Sequence, residues 1–217
     1  AGCVNPSHEM EIKRLVQDET GLLVTCGHEL SDILDFQTRA RTAILNARLI
    51  PFLARLLTDL EIVLRDRRID APDVVVKGDG TLMSSSMAKL RPVETILSGP
   101  AASVAGAQFF SGLKHAVILD MGGTTTDTAF VENGIPEICQ SGATVGGFKT
   151  HVKAMNIRTE GIGGDSLIEW HQDRFSIGPL RVAPVAWLAS HAVGTDEALE
   201  FFERNRHRYR TSSGRMQ

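Results

Sequence analysis

Hydrophobic positions change their period several times along the chain. Residues 20–30, TGLLVTCGHEL, form a near-continuous apolar run after a turn signal and read as a buried strand. From Asp35 to Arg68 the period becomes helical. Ala40, Ala43, Ile44 and Ala47 share one face, and so do Leu49, Phe52, Leu53, Leu56, Leu60, Val63 and Leu64, a stripe that reads as core. Pro51 interrupts this run, either kinking one long helix or sitting in the first turn of a second. The cluster Arg65-Asp66-Arg67-Arg68 reads as a solvated helix end. Residues 73–80, DVVVKGDG, predict a buried strand running into a turn, and Ser84-Ser85-Ser86 predict the cap of a short helix through Leu90. VETIL at 93–97 predicts a further strand. Pro100 then opens a helix of small residues, Ala101, Ala102, Ser103, Ala105, Gly106 and Ala107.

HAVILD at 115–120 predicts a strand ending on an acid, and TAFVENGIPEI a return strand with a hairpin turn at Glu132-Asn133-Gly134. Strand-like pieces follow at 154–159, then the glycine turn GIGGDS, a strand at 167–170 and an amphipathic helix at 196–210. Mixed strands and helices, with no internal repeat and no long linker, predict an α/β or α+β protein.

Composition narrows the classes. The 217 residues carry 23 Lys+Arg against 26 Asp+Glu, a net charge of −3, so nothing marks an electrostatic nucleic-acid binder. The basic residues Arg204, Arg206, His207, Arg208, Arg210 and Arg215 read as a solvated helix end rather than an RNA contact. No apolar run reaches the ~18 residues of a membrane span. Cys3, Cys26 and Cys139 lie far apart with no C-x-x-C pair, so reduced cytoplasmic thiols are expected rather than a disulfide framework or a zinc site. The seven histidines, among them His28, His115 and His151, show no H-E-x-x-H or similar spacing. Cys26 would be a nucleophile only with a lowered pKa, and no basic neighbour in sequence argues for one.

The sharpest candidate chemistry is Asp120-Met121-Gly122-Gly123-Thr124-Thr125-Thr126-Asp127. An apolar strand delivers an acid to its end, and two glycines let the backbone turn without Cβ atoms in the way. Exposed N–H groups in such a turn cradle phosphate oxygens, and Thr124, Thr125 and Thr126 add hydroxyls. The loop is not a Walker A, which needs a G-x-x-x-x-G-K-[ST] pattern. Asp120 would stand near a terminal phosphate, holding Mg²⁺ through water or orienting an attacking group. The alternative is a glycine hairpin with surface threonines.

The order of small-residue helix, strand and D-x-G-G-T-T-T-D hairpin resembles the actin-like ATPase superfamily of sugar kinases and heat-shock chaperones. There the helix helps form an interdomain hinge ahead of the second phosphate hairpin, and a Gly-Gly-acid turn lies near the nucleotide; Gly163-Gly164-Asp165 is similar in placement. A closer resemblance rests on ARTAILNARLIPFLARLL, KGDGTLMS, RPVETILSGPAASVAGA, LDMGGTTTDTAFVENG and IRTEGIGGDSLIEW, in that order between Ala40 and Trp170. These blocks resemble the hydantoinase/oxoprolinase family, in its hydantoinase A-type subunit. The resemblance implies an α/β, actin-like (ribonuclease H-like) ATPase lobe with a mixed sheet flanked by helices. It implies ATP and Mg²⁺ as cofactors, a small cyclic amide as substrate, and phosphorylation of its ring carbonyl oxygen before ring opening. A related member would use ATP for carboxylation. Asp120 and Asp127 would be catalytic, with Asp120 also holding the metal. Gly122, Gly123, Thr124, Thr125, Thr126, Gly163, Gly164 and Asp165 would bind the nucleotide. A second subunit is the implied partner, with no nucleic acid and no membrane, in the cytoplasm.

Two segments depart from the family pattern. Lys77-Gly78-Asp79-Gly80 stands where Ser-Asn-Gly-Gly is usual, and Gly161-Ile162-Gly163-Gly164-Asp165-Ser166 where Gly-Ala-Gly-Gly-Gly-Ser is frequent. Each places an acid near the expected cleft, and Asp165 could add a metal contact or be a turn residue. His28-Glu29 matches a family Ser/Thr-His-Glu sequence and reads equally as a loop pair. The family's first D-x-G-G-T-x-T-D hairpin has no counterpart before Thr20, so the chain is expected to be a segment that cannot complete ATP turnover alone. Its organisation is expected as residues 1–92, a strand, the long helical segment and the start of the hinge, and residues 93–217, the lobe with the phosphate hairpin. The rival function is a non-catalytic ATP-dependent switch, in which hinge motion is the output.

Overall fold

A computed structural model describes residues 2–171 and 173–205. The chain divides into two compact units. The first holds the described residues up to Ile118 together with Thr128–Arg158, and the second holds Leu119–Asp127 and the described residues from Thr159 onward.

In the first unit, α1 (Ser7–Thr20) starts after Pro6 and stops at Gly21, whose left-handed backbone (φ 68°) lets its N–H cap the Gln17 carbonyl. None of its residues is buried. The strand expected at 20–30 does not form. Helix α1 occupies its start and a short helix, α2 (Gly27–Leu30), its end. Leu22 and Leu23 between them are 65% and 63% exposed. The reason is local capping: Gly21 closes one helix, while Cys26 and Glu29 open the next, Glu29 accepting from the Cys26 N–H at 3.0 Å.

Helix α3 (Phe36–Asp66) is a single helix with Pro51 inside it, capped by Asp35, whose carboxylate accepts from the Gln37 and Thr38 N–H groups. Its buried residues are Thr38, Arg39, Thr42, Asn46, Ile50 and Leu57. The stripe read as core is instead largely solvent-facing, with Phe52 74%, Leu56 62% and Val63 52% exposed. The polar face wins because it is satisfied. Asn46 donates to Thr25 Oγ1 (3.1 Å) and the Leu90 carbonyl (2.9 Å) and accepts from the Val93 N–H (3.1 Å). Thr42 Oγ1 accepts from the His151 N–H at 3.0 Å.

Strands β1 (Val74–Val76) and β2 (Leu82–Ser84) pair as an antiparallel hairpin, and Ser84 caps α4 (Ser85–Leu90) through the Met87 N–H. The strand expected at 93–97 is replaced by a 3₁₀ turn over Pro92–Thr95. Pro92 has no N–H for a ladder. The Val93 N–H is taken by Asn46, with Val93 fully buried.

Helix α5 (Ser98–Ser111) is the expected small-residue helix. Its Ala101 and Val104 form the main core cluster with Ala129, Val131 and Met155. Strand β3 (Ala116–Met121) leads through a glycine turn to β4 (Thr126–Glu132). Asn133 and Gly134, at φ 53° and 79°, then turn the chain into β5 (Ile135–Pro136), as the Asn-Gly signal predicts. Short antiparallel pairs follow: β6 (Ile138–Cys139) with β9 (Ala154–Met155), around β7 (Thr144–Val145) with β8 (Phe148–Lys149). β10 (Arg158–Glu160), β4 and β3 lie in that order in the largest sheet, with β5 also on β4. Small side chains on α5 let the helix lie against Ala129 and Val131 of β4.

The second unit contains the tip of that hairpin, the glycine turn after β10, and the antiparallel pair β11 (Ser166–His171) and β12 (Arg174–Arg181). Trp170 and Phe175 meet edge-on across this pair, ring centres 4.5 Å apart. Helices α6 (Val185–His191) and α7 (Thr195–Asn205) follow. The helix expected at 196–210 is observed to Asn205. The rest of the expected span, and Arg206, His207, Arg208, Arg210 and Arg215 of the basic tail, lie outside the described residues.

Candidate phosphate-binding site

Burial alternates along β3, and Asp120 falls on the half-buried face with Ala116 and Ile118. The Asp120 carboxylate makes no hydrogen bond or ion pair among the described residues. Beyond it, the Gly122 N–H donates to the Thr125 carbonyl at 2.9 Å and closes the turn. The next three N–H groups, of Gly123, Thr124 and Thr125, have no partner among the described residues, and neither do the Thr124 and Thr125 hydroxyls. Gly122, Gly123 and Thr124 are exposed. Consecutive unbonded N–H groups in an open turn form a concave set of donors suited to an anion.

The 161–166 turn is fastened to this hairpin by backbone bonds. The Gly164 N–H donates to Gly122 O (2.9 Å) and the Asp165 N–H to Gly123 O (2.8 Å). Thr126 Oγ1 donates to Ile162 O at 2.6 Å. Ser166 Oγ accepts from the Gly163 N–H at 2.9 Å, and the Ser166 N–H returns a bond to Gly163 O at 3.0 Å. Gly163 is buried, and a Cβ there would lie 2.5 Å from the Gly123 carbonyl carbon and oxygen and 2.6 Å from the Thr124 nitrogen. Only glycine allows the two turns to approach this closely.

The candidate acids have different surroundings. Asp127 accepts from Thr159 Oγ1. Asp165 Oδ2 accepts from Arg181 Nη2 at 2.8 Å and would lie 2.9 Å from a Cβ on Gly123. Asp120 alone of the three is unpaired among the described residues. Thus all the residues picked out by the hairpin and glycine-turn patterns lie in one unit, joined by hydrogen bonds. Thr159 and Arg181 carry no such pattern. Thr159 is 32 positions from its partner and Arg181 16, beyond any local spacing rule.

The donor set fits the phosphates of a nucleotide with a cation. N–H groups and hydroxyls would meet phosphate oxygens, and the unpaired carboxylate of Asp120, three positions before Gly123 in sequence, would be available to a metal or its waters.

Asp79, in the first unit, is occupied structurally. Oδ1 accepts from the Thr81 N–H (3.0 Å) and hydroxyl (2.6 Å), and Oδ2 faces Lys77 at 3.4 Å. Burial raises its carboxyl, but the Thr81 bonds and Lys77 outweigh this and hold it below the usual carboxylate range. Lys77, Asp79, Glu94, Ser31 and His151 line a polar cavity of about 200 Å³. Cys26 does not meet the condition for a nucleophile. Burial and the Glu29 charge push its thiol up, against a smaller pull from Lys13. His28 pairs with Glu9 at 2.8 Å.

Comparisons with known proteins bear on the family and the fold. A family model described as Hydantoinase/oxoprolinase matches residues 39–197. The chain is 29% identical over 185 residues to caprolactamase subunit alpha of Pseudomonas jessenii, covering 83% of this chain and 26% of that protein. It is 28% identical over 178 residues to 5-oxoprolinase of Saccharomyces cerevisiae, covering 80% of this chain and 14% of that one. Among solved structures, nucleotide-free acetone carboxylase superposes with a TM-score of 0.66 at 22% identity, over 83% of this chain and 26% of that chain. The ATP-dependent caprolactamase of P. jessenii superposes with 0.65 at 26% identity, over 84% and 27%. The fold is therefore the expected α/β, actin-like lobe with sheets flanked by helices. The chain spans only about a quarter of the caprolactamase subunit and less of the oxoprolinase. No described helix is long and apolar enough to cross a membrane. With more than half of its residues matched by one family model, the chain belongs to the hydantoinase/oxoprolinase family.

Proposed function

We propose that this chain is the phosphate-holding part of an ATP-dependent cyclic-amide hydrolase. The observation that carries the reading is the run of unbonded N–H groups at Gly123, Thr124 and Thr125 beside the unpaired Asp120. These donors, with the Thr124 and Thr125 hydroxyls, would hold the β- and γ-phosphates, and Asp120 would hold Mg²⁺ directly or through water. When bound, Mg-ATP supplies a phosphoryl group that makes the ring carbonyl oxygen a better leaving group. The chain's own contribution is positioning and charge neutralisation, which dominate phosphoryl transfer. Asp127, oriented by Thr159, would accept hydrogen bonds at the hairpin exit, and Gly163, Gly164 and Asp165 hold the cradle in shape. A caprolactamase subunit and a 5-oxoprolinase among its relatives support a small lactam as substrate, and the subunit relationship supports a second chain as partner. The free thiols Cys3, Cys26 and Cys139 support a cytoplasmic setting.

The test is ATP hydrolysis by the full-length protein with its partner subunit, measured with caprolactam, 5-oxoproline and hydantoin. Stimulation by one of them, lost in Asp120→Asn, is the expected result. Stimulation by a protein partner alone would favour the switch reading instead, and none by either would overturn both.

A further inference from the structure

Glu9, Cys26 and His28 lie far from any metal-binding spacing in sequence, yet the fold brings them together. A carboxylate oxygen of Glu9, the Cys26 sulfur and a ring nitrogen of His28 all lie within 4.8 Å of one another. We infer that these three side chains form a binding site for a borderline divalent cation, Zn²⁺ by preference, independent of the nucleotide reading.

The donor set is one sulfur, one imidazole nitrogen and one carboxylate oxygen. That combination suits Zn²⁺ and its spectroscopic substitute Co²⁺ and does not suit Mg²⁺ or Ca²⁺. With bonds of about 2.0–2.3 Å to a tetrahedral zinc, ligand atoms stand about 3.3–3.8 Å apart. Glu9 Oε2 and His28 Nδ1 are 2.8 Å apart, so this pair opens slightly, and the Cys26 sulfur stands within 4.8 Å of both ligand atoms. Cys26 releases its proton to solvent as it ligates, and His28 carries its remaining proton on Nε2. The fourth position is left to water.

The scaffold around the three ligands is already tied. The His28 N–H donates to Glu9 Oε2 at 3.1 Å, the Cys26 N–H donates to Glu29 at 3.0 Å, and Lys13 pairs with Glu29 at 2.6 Å. The nearby cations are engaged elsewhere: Lys13 with Glu29, and Arg39 with Cys3 Sγ and the Ile33 carbonyl. The Cys26 sulfur is buried, whereas the side chains of His28 and Glu9 are 19% and 32% exposed, leaving a route for an ion. Helix α1 has no buried residue, and Glu9 and Lys13 tie it to His28 and Glu29. A cation shared by Glu9 on α1 and by Cys26 and His28 at the start of α2 would clasp that helix.

The experiment is a Co²⁺ titration of the full-length protein, reduced and stripped with a chelator, followed by competition with Zn²⁺. Wild type should develop a thiolate-to-cobalt charge-transfer band and tetrahedral visible bands that saturate at one equivalent for this site, and Zn²⁺ should abolish them. Cys26→Ser should remove that charge-transfer signal and Cys139→Ser should leave it. Since losing even an outer-sphere partner weakens metal sites about 10–100-fold, His28→Gln should weaken binding at least about tenfold. No saturable band in folded wild type, or the same band in folded Cys26→Ser, overturns the inference. The wild-type titration decides the matter even where a variant does not fold.

Discussion

Gly163 lies against Gly123 so closely that no β-carbon fits between them: it would stand 2.5 Å from the Gly123 carbonyl carbon and oxygen. Gly163→Ala must therefore displace the backbone that carries the free N–H groups. We expect a loss of about 1–3 kcal/mol in stability, the ordinary cost of overpacking, seen as a lower thermal midpoint. Mg-ATP affinity of the full-length protein should fall at least tenfold with it. Gly164→Ala is the control, because a Cβ there meets only Gly122 O at 3.8 Å, and it should change neither quantity appreciably.

Asn46 connects four segments from the middle of α3. It is fully buried and bonded to Thr25, Leu90 and Val93. Asn46→Ala leaves the Val93 N–H and the Leu90 carbonyl without this partner and opens a small cavity. A loss of about 2–4 kcal/mol is expected in equilibrium urea unfolding, well above that of a surface substitution. Phe52→Ala, on the exposed side of the same helix, should cost far less in this chain.

Stability should also fall on mild acidification. His151 is largely buried, and burial holds its imidazole below the ordinary histidine value, with Arg39 and Lys149 adding to the effect and Asp35 and Asp32 opposing it. The folded state thus binds fewer protons at this site than the unfolded state. Its contribution is complete above about pH 6.5, the unfolded value, and is lost as pH falls through the depressed folded value. Urea midpoints measured downward from pH 7 should decline in this window, and His151→Gln should flatten the decline. Glu29 and Glu9, also held low in the fold, add a second loss at lower pH, below about 4.3.

What was legible in the sequence follows from how local each signal is. The β3–β4 hairpin could be read because glycines, an acid and threonines stand consecutively, and the Asn133-Gly134 turn because two residues suffice to encode it. The Ser84 cap and the small-residue helix α5 are similarly local. The face of α3 could not be read. Its apolar stripe suggested a core, but Thr42 and Asn46 find partners 109 and 47 positions away that no periodicity reveals. The false strands at 20–30 and 93–97 have the same origin. Each is apolar enough for a ladder, but Gly21, the Cys26–Glu29 cap and Pro92 set the backbone first. Within the site, the sequence placed Gly163, Gly164 and Asp165 near the hairpin only through family resemblance. The contact of Gly163 with Gly123 is a matter of three dimensions.

If the turn after Asp120 holds the phosphates of Mg-ATP, substitutions within it must weaken nucleotide binding. The measurement is calorimetric titration of the full-length protein with Mg-ATP, beside Asp120→Asn and Gly123→Val. Asp120 has no partner to lose among the described residues, so Asp120→Asn should fold with stability within about 0.5 kcal/mol of wild type. Gly123→Val places side-chain atoms where Asp165 Oδ2 now lies, 2.9 Å from the β-carbon. Wild type should bind saturably, and both substitutions should weaken binding at least tenfold. Wild-type binding that neither substitution alters, or no binding at all by the folded full-length protein, would contradict phosphate binding at this turn.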